Sequence, residues 1–245
     1  MRPRALVVRT AGITADLETQ TALQQAGADA DIRHVDCFAR EDDPLRPYQL
    51  LVFPGGHAHG DEIAPGRLFA LEAARAIGDK IAGFLKRGGA ILGIDGGFRV
   101  LVFTGLLPDA RLVPPGDRSL AFVPGTPDTF DARWVRLRAP EHVVSPFVRP
   151  GEEIELPVAR TRDILAGREA EDVERLHRDG RVAYRFAGTD NPVAALSDAD
   201  GRIFGILARP ERFLRRRQHP RWTRERRSGE GDGLRFFRRV VESLI

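Results

Sequence analysis

Two glycine-rich turns, each directly behind a short apolar run, constrain this chain more than any other feature. Gln49-Leu-Leu-Val-Phe53 runs into Pro54-Gly-Gly56, and Ala90-Ile-Leu-Gly-Ile94 runs into Asp95-Gly-Gly97. Short apolar runs bounded by turn residues read as buried strands. The second turn, Gly93-Ile-Asp-Gly-Gly97, has the shape of a nucleophile elbow. Glycines flank its central residue because so tight a strand-to-helix turn leaves no room for side chains. The first turn continues as His57-Ala-His-Gly-Asp61, where glycines let backbone N–H groups approach a ligand closely.

The remaining periodicity fits these turns into one architecture. Ala5–Arg9 reads as a strand, Asp16–Ala26 as a helix carrying Leu17, Thr21 and Leu23 at near-helical spacing, and Asp31–Val35 as a second strand. A long helix is expected over Gly66–Lys86, closed by Gly88-Gly89 before the strand Ala90–Ile94. Strands alternating with helices build a parallel sheet covered on both faces, and 245 residues suffice for one domain spanning 1–245. Ligands in such sheets sit beyond the carboxyl ends of the strands.

Composition narrows the function. No stretch approaches the roughly 18 apolar residues of a membrane span, and the start lacks a signal-peptide pattern, so the cytoplasm is the expected compartment. A lone cysteine, Cys37, rules out an intramolecular disulfide or a multi-thiolate metal site. The 38 basic residues, all arginine but Lys80 and Lys86, nearly balance 35 acidic ones. Arg209 to Arg227 is a basic run holding Phe213 and Trp222. It reads as a solvated segment or subunit contact in preference to a nucleic-acid surface. His57, His59 and Asp61 form an alternating set that a metal could use, although two histidines lining a polar loop is the plainer reading. His34, His142, His177 and His219 show no mutual spacing and read as surface or partly packed residues.

In their order along nearly the whole chain, the motifs resemble those of the class I glutamine amidotransferases, most closely the glutaminase subunit of phosphoribosylformylglycinamidine synthase. They comprise Arg9-Thr-Ala-Gly12 with Asp16 and Glu18, Phe53-Pro-Gly-Gly56 with Gly60-Asp61, and Gly93 to Leu101 followed by Gly105-Leu-Leu-Pro108. Arg133-Trp-Val-Arg-Leu137, Glu155-Leu-Pro-Val-Ala159, Pro210-Glu-Arg212 and Gly231-Asp-Gly-Leu234 complete the set. The resemblance implies a flavodoxin-like α/β fold with a mainly parallel central sheet. It also implies a synthase large subunit as partner, a place in purine biosynthesis, and no cofactor.

The family's reaction uses a thiolate on the elbow, a histidine that moves protons, a glutamate that orients the histidine, and backbone donors for the oxyanion. Mapped onto this sequence, the cysteine position is Asp95 and the histidine position is Arg209, within Ala208-Arg-Pro-Glu-Arg212. Glu211 and the oxyanion-side Gly55, Gly56 and Gly96 are retained. The family's I-A-H-G-E-G-R segment reads Val158-Ala-Arg-Thr-Arg-Asp163, and its N-P-N-G-S loop shrinks to Asn191-Pro192. Asp95 and Arg209 are expected to pair across the old pocket, and glutamine binding is doubtful. The readings left open are a glutaminase-inactive structural or regulatory subunit, an active amidotransferase, a hydrolase or metal protein using Asp95 with His57 and His59, and a small-molecule binding module.

Overall fold

Strand β1 (Arg4–Arg9), helix α1 (Asp16–Ala26), β2 (Asp29–His34) and β3 (Leu50–Phe53) open the chain. The next elements are α2 (Arg67–Lys86), β4 (Ala90–Ile94), α3 (Gly96–Thr104), the short α4 (Leu106–Asp109), β5 (Leu120–Pro124) and β6 (Phe130–Arg138). Then come β7 (Glu153–Thr161), β8 (Asp163–Gly167), α5 (Ala170–Arg178), β9 (Val182–Phe186), β10 (Val193–Ser197), β11 (Ile203–Ile206) and α6 (Asp232–Glu242). This computed structural model describes residues 2–61, 63–125, 130–161, 163–188, 193–225 and 228–245.

The main sheet has the order β2-β1-β3-β4-β11-β10-β9-β6-β7, with β5 and β8 paired separately. Strands β2, β1, β3 and β4 run parallel, as the alternation predicts, and β11 joins them parallel to β4. Four antiparallel strands extend the sheet beyond β11. Every residue of β3 and β4 is buried, as befits strands covered on both faces. The chain steps from β1 outward to β2, then returns to β3 and continues to β4. Right-handed crossovers in opposite directions put α1 and α2 on opposite faces. Accordingly α1 packs with α6, and α2 with α3. The reversal leaves a crevice at the carboxyl ends of β1, β3 and β4, where both glycine turns lie.

Gly97 shows why the elbow needs glycine. A Cβ there would stand 1.9 Å from the Phe53 carbonyl oxygen and 2.9 Å from Phe53 Cβ. The neighbour is mainly backbone of a buried strand and has nowhere to move. Gly97→Ala is therefore expected to cost about 2–3 kcal/mol, at the upper end for overpacking, read as a lowered denaturant midpoint with unchanged slope.

Two readings change. The basic run is not one surface feature: Arg209 and Phe213 are buried, while Trp222 is exposed. His219 is buried as well, contrary to expectation. The Trp134 ring lies 4.3 Å from His219 and 4.8 Å from Phe213, centroid to centroid, and Glu155 Oε2 lies 3.3 Å from His219 Nε2. A strand residue thus covers a histidine more than 80 positions later, which local spacing cannot show. Arg162, Asn191-Pro192 and Arg226-Arg227 fall outside the described residues. No described helix is long and apolar enough to cross a membrane.

Candidate functional site

β4 ends at Ile94 and α3 starts at Gly96, so Asp95 must turn the chain alone. It does so at φ 50° and ψ −106°, a left-handed conformation that a residue with a side chain adopts only under strain. A Cβ on Gly93 would meet the Gly97 carbonyl at 2.5 Å, which is the crowding the flanking glycines relieve. The Asp95 N–H donates to Ile206 O at 2.7 Å, tying the elbow to β11. The carboxylate stands at the N-terminus of α3, where unpaired N–H groups and the helix dipole favour negative charge.

One turn along α3, Arg99 Nη1 donates to Asp95 Oδ1 at 2.9 Å. The same guanidinium grips Asp163 with two bonds, Nε to Oδ2 at 2.7 Å and Nη2 to Oδ1 at 2.8 Å. Arg160 Nη1 reaches Asp163 Oδ1 at 2.6 Å and its carbonyl at 3.0 Å. All four side chains are at most 10% exposed, and their charges balance. Burial works against the Arg99 charge, yet Asp95 and Asp163 raise its pKa above the usual value. Arg160, with less compensation, is lowered by burial.

Arg209 belongs to a second buried pair. Its Nε donates to Glu211 Oε1 at 3.0 Å, and no ion pair joins it to Asp95. The expected Asp95–Arg209 bridge is thus replaced by two separate bridges. Arg99 reaches Asp95 from its own helix at (i, i+4) spacing, while Glu211 claims Arg209 from two residues away. The two pairs still approach at Gly55: Asp95 Oδ2 and Arg209 Nη2 each lie 3.5 Å from where a Gly55 Cβ would sit. Burial lowers and the charges of Glu211 and Asp95 raise the Arg209 pKa, with a net rise.

Burial pushes the Glu211 carboxyl up to about 7, against the pull of Arg209. Between about pH 4.5 and 7 the folded chain then holds a proton that the unfolded chain has released, so this group's contribution to stability falls as pH rises. Glu211→Gln should remove that slope, which approaches about 1.4 kcal/mol per pH unit. Denaturant titrations of both proteins across this window provide the check; parallel curves would contradict the assignment.

Gly55, Gly56 and Gly96 close around the elbow. Gly56 has φ 120°, and a Cβ on it would meet Thr14 N at 2.5 Å; one on Gly96 would stand 3.0 Å from Gly56 O. The crevice beside Asp95 is lined by Gly56, His57, Asp61, Asp95, Gly96 and Arg99, with Ala159 and Arg160 from β7. Its volume is about 10 Å³. That admits about one water molecule.

The two loop histidines part company. His57 Nδ1 lies 2.8 Å from Asp61 Oδ2 at the crevice edge. His59 Nε2 lies 3.0 Å from Glu72 Oε1 and 3.2 Å from Thr10 Oγ1, which holds it against α2. His57, His59 and Asp61 therefore do not converge on one point. Among the described residues no three His, Cys, Asp or Glu side chains form a group that could hold a metal. Cys37 is exposed in the turn after β2 and does not line the crevice.

The CobB/CobQ-like glutamine amidotransferase domain family matches residues 2–242, nearly the full chain. The chain belongs to this family. Among relatives of this amidotransferase domain, the phosphoribosylformylglycinamidine synthase subunit PurQ of Dehalococcoides mccartyi is 34% identical over 251 residues, covering 98% of this chain and 96% of the relative. The subunit PurQ of Thermotoga maritima is 29% identical, covering 100% of this chain and 99% of the relative. The solved PurLQS structure from Thermotoga maritima matches with a TM-score of 0.76 at 28% identity, covering 100% of both chains. The α/β fold and the PurQ-like amidotransferase character rest on these matches. Sequence reasoning about the amidotransferase site missed Arg99 and Asp163. Arg99 carried a signal: an arginine in the apolar run Phe98-Arg-Val-Leu-Val-Phe103, four residues after an aspartate, points to a buried (i, i+4) pair.

Proposed function

We propose that this PurQ-like chain is a glutaminase-inactive subunit, one domain over 1–245, with a structural or regulatory place in a cytoplasmic phosphoribosylformylglycinamidine synthase assembly. The observation that carries this reading is the state of the elbow residue: Asp95 is bonded to Arg99 beside a crevice of about 10 Å³. Glutamine hydrolysis needs a nucleophile that forms an acyl intermediate and a base that shuttles protons to the departing ammonia. A carboxylate bound by a guanidinium is a poor nucleophile. Arg209, at the family's histidine position, stays protonated and cannot act as base. Glu211 then has no imidazole to orient and serves as the counter-ion of Arg209.

The His57–Asp61 pair at the crevice edge raises the alternative of a hydrolase with Asp95 as nucleophile and His57 activating water. The same geometry stands against it. Asp95 Oδ1 is committed to Arg99, and a space for one water holds no carbon electrophile.

The partner follows from the relatives, which are named as synthase subunits and include a chain solved as part of PurLQS. Co-expressed with the large synthase subunit of its own organism, the chain is expected to elute with it as one complex on size-exclusion chromatography. Separate elution, even with glutamine and nucleotide present, would overturn the subunit role.

A further inference from the structure

We infer that Arg99, Asp163 and Arg160 form an ionic strap that ties the end of β7 and the start of β8 over the elbow and shuts the crevice to any amide-sized ligand. Loss of access is then built from side chains other than the two at the reactive positions, Asp95 and Arg209. The inference rests on the inactive reading above and deepens it, by assigning what blocks the site.

The small sheet explains why a strap is needed. Among the described residues β5 and β8 pair only with each other, and no ladder of backbone hydrogen bonds fixes β8 to the main sheet. What ties it to the elbow helix is side-chain contact. Phe98 meets Phe122 of β5 edge-on at 5.2 Å, the Arg99 guanidinium lies 5.4 Å from the Phe122 ring centre, and Arg99 grips Asp163 with its two-bonded fork. Asp163 begins β8, and Arg160 holds it from β7. Ala159 and Arg160 line the crevice from β7, and Asp95, Gly96 and Arg99 line it from the turn and α3. The salt bridges draw these segments together.

The energetics favour the closed form. Two cations and two anions, none more than 10% exposed, neutralise one another with bonds of 2.6–2.9 Å. Opening this contact would pull apart buried charges that hold one another, whereas removing one partner leaves a buried charge short of the bonds it had. Because the fork approaches Asp163 through two parallel bonds, its geometry is also directional, and a lysine would not reproduce it.

The test places a reporter thiol at the elbow. In a Cys37→Ser background, Asp95→Cys supplies the only thiol, and iodoacetamide serves as an uncharged primary-amide probe. The strap is cut in the same background with Arg99→Gln and Asp163→Asn. Alkylation of the new thiol should be at least tenfold faster with the strap cut, while hydrogen peroxide, close to water in size, oxidises the cut protein no faster than the strapped one. Losing Arg99 makes the thiolate less favourable, so electrostatics alone would slow the reaction, opposite to the expected change. Should the double substitution fail to fold, Asp163→Ala with all arginines in place provides the same comparison. Equal alkylation rates in folded strapped and cut proteins would overturn the strap. Glutamate release by the unmodified chain reports on the inactive reading separately, so the two can fail independently.

Discussion

Arg99→Leu should lower the unfolding free energy by about 3–5 kcal/mol, the range for removing one partner of a buried ion pair. For a chain of 245 residues this corresponds to a melting temperature lower by on the order of 10 °C. The size follows from what remains. Asp95 sits at a strained turn in a buried corner, and without Arg99 its Oδ1 loses its guanidinium partner. Asp163 simultaneously loses both bonds of the fork and, among the described residues, keeps Arg160 alone. Leucine fills part of the volume but neutralises neither carboxylate. Arg209→Met is the instructive contrast. Its partner Glu211 is already pushed up to about 7 and can take a proton at neutral pH, leaving a neutral buried acid. That substitution should cost only about 1–3 kcal/mol, the scale of an unmade buried hydrogen bond. If Arg209→Met proved the more damaging of the two, Asp95 would have to depend on Arg209 after all, and the separate-bridge assignment would be wrong.

The half of the fold that builds the site was largely readable from the chain. Asp16–Ala26 and Ala90–Ile94 match the observed bounds of α1 and β4, because apolar spacing and terminal glycines fix both type and end. The tight turn at Asp95 was equally legible, since Gly93 and Gly97 stand where any Cβ would strike backbone atoms. The antiparallel extension was not, because strand order past β11 depends on pairings between distant segments, such as β6 with β9.

Within the crevice, partner choice was not legible. Asp95 and Arg209 do face a common point beside Gly55. Which cation Asp95 takes depends on reach, however, and Arg99 on the same helix is nearer than an arginine 114 residues away. Asp163 lies 64 residues from Arg99 and meets it only because the start of β8 lies against α3. The Arg209–Glu211 pair was within reach of sequence reasoning from the Arg-Pro-Glu spacing alone. The burial of His219 under Trp134 was not, because the strand and the loop share no local pattern.

The second large effect concerns turnover. In a hydrolase of this logic, deleting the nucleophile or the base alone removes about 10⁶ in kcat, and under the proposed inactive reading both positions hold charged residues of the wrong chemistry. Restoring them with Asp95→Cys and Arg209→His should still leave glutamine unhydrolysed, because the crevice of about 10 Å³ stays shut; activity requires opening the strap as well.

The most direct measurement is glutamate release from glutamine by the purified chain, alone and in complex with the large synthase subunit, against an Asp95→Ala control. The account predicts release no faster than that control in either state. Release at an ordinary enzymatic pace, about 1 s⁻¹ or more, and lost in the control, would contradict it.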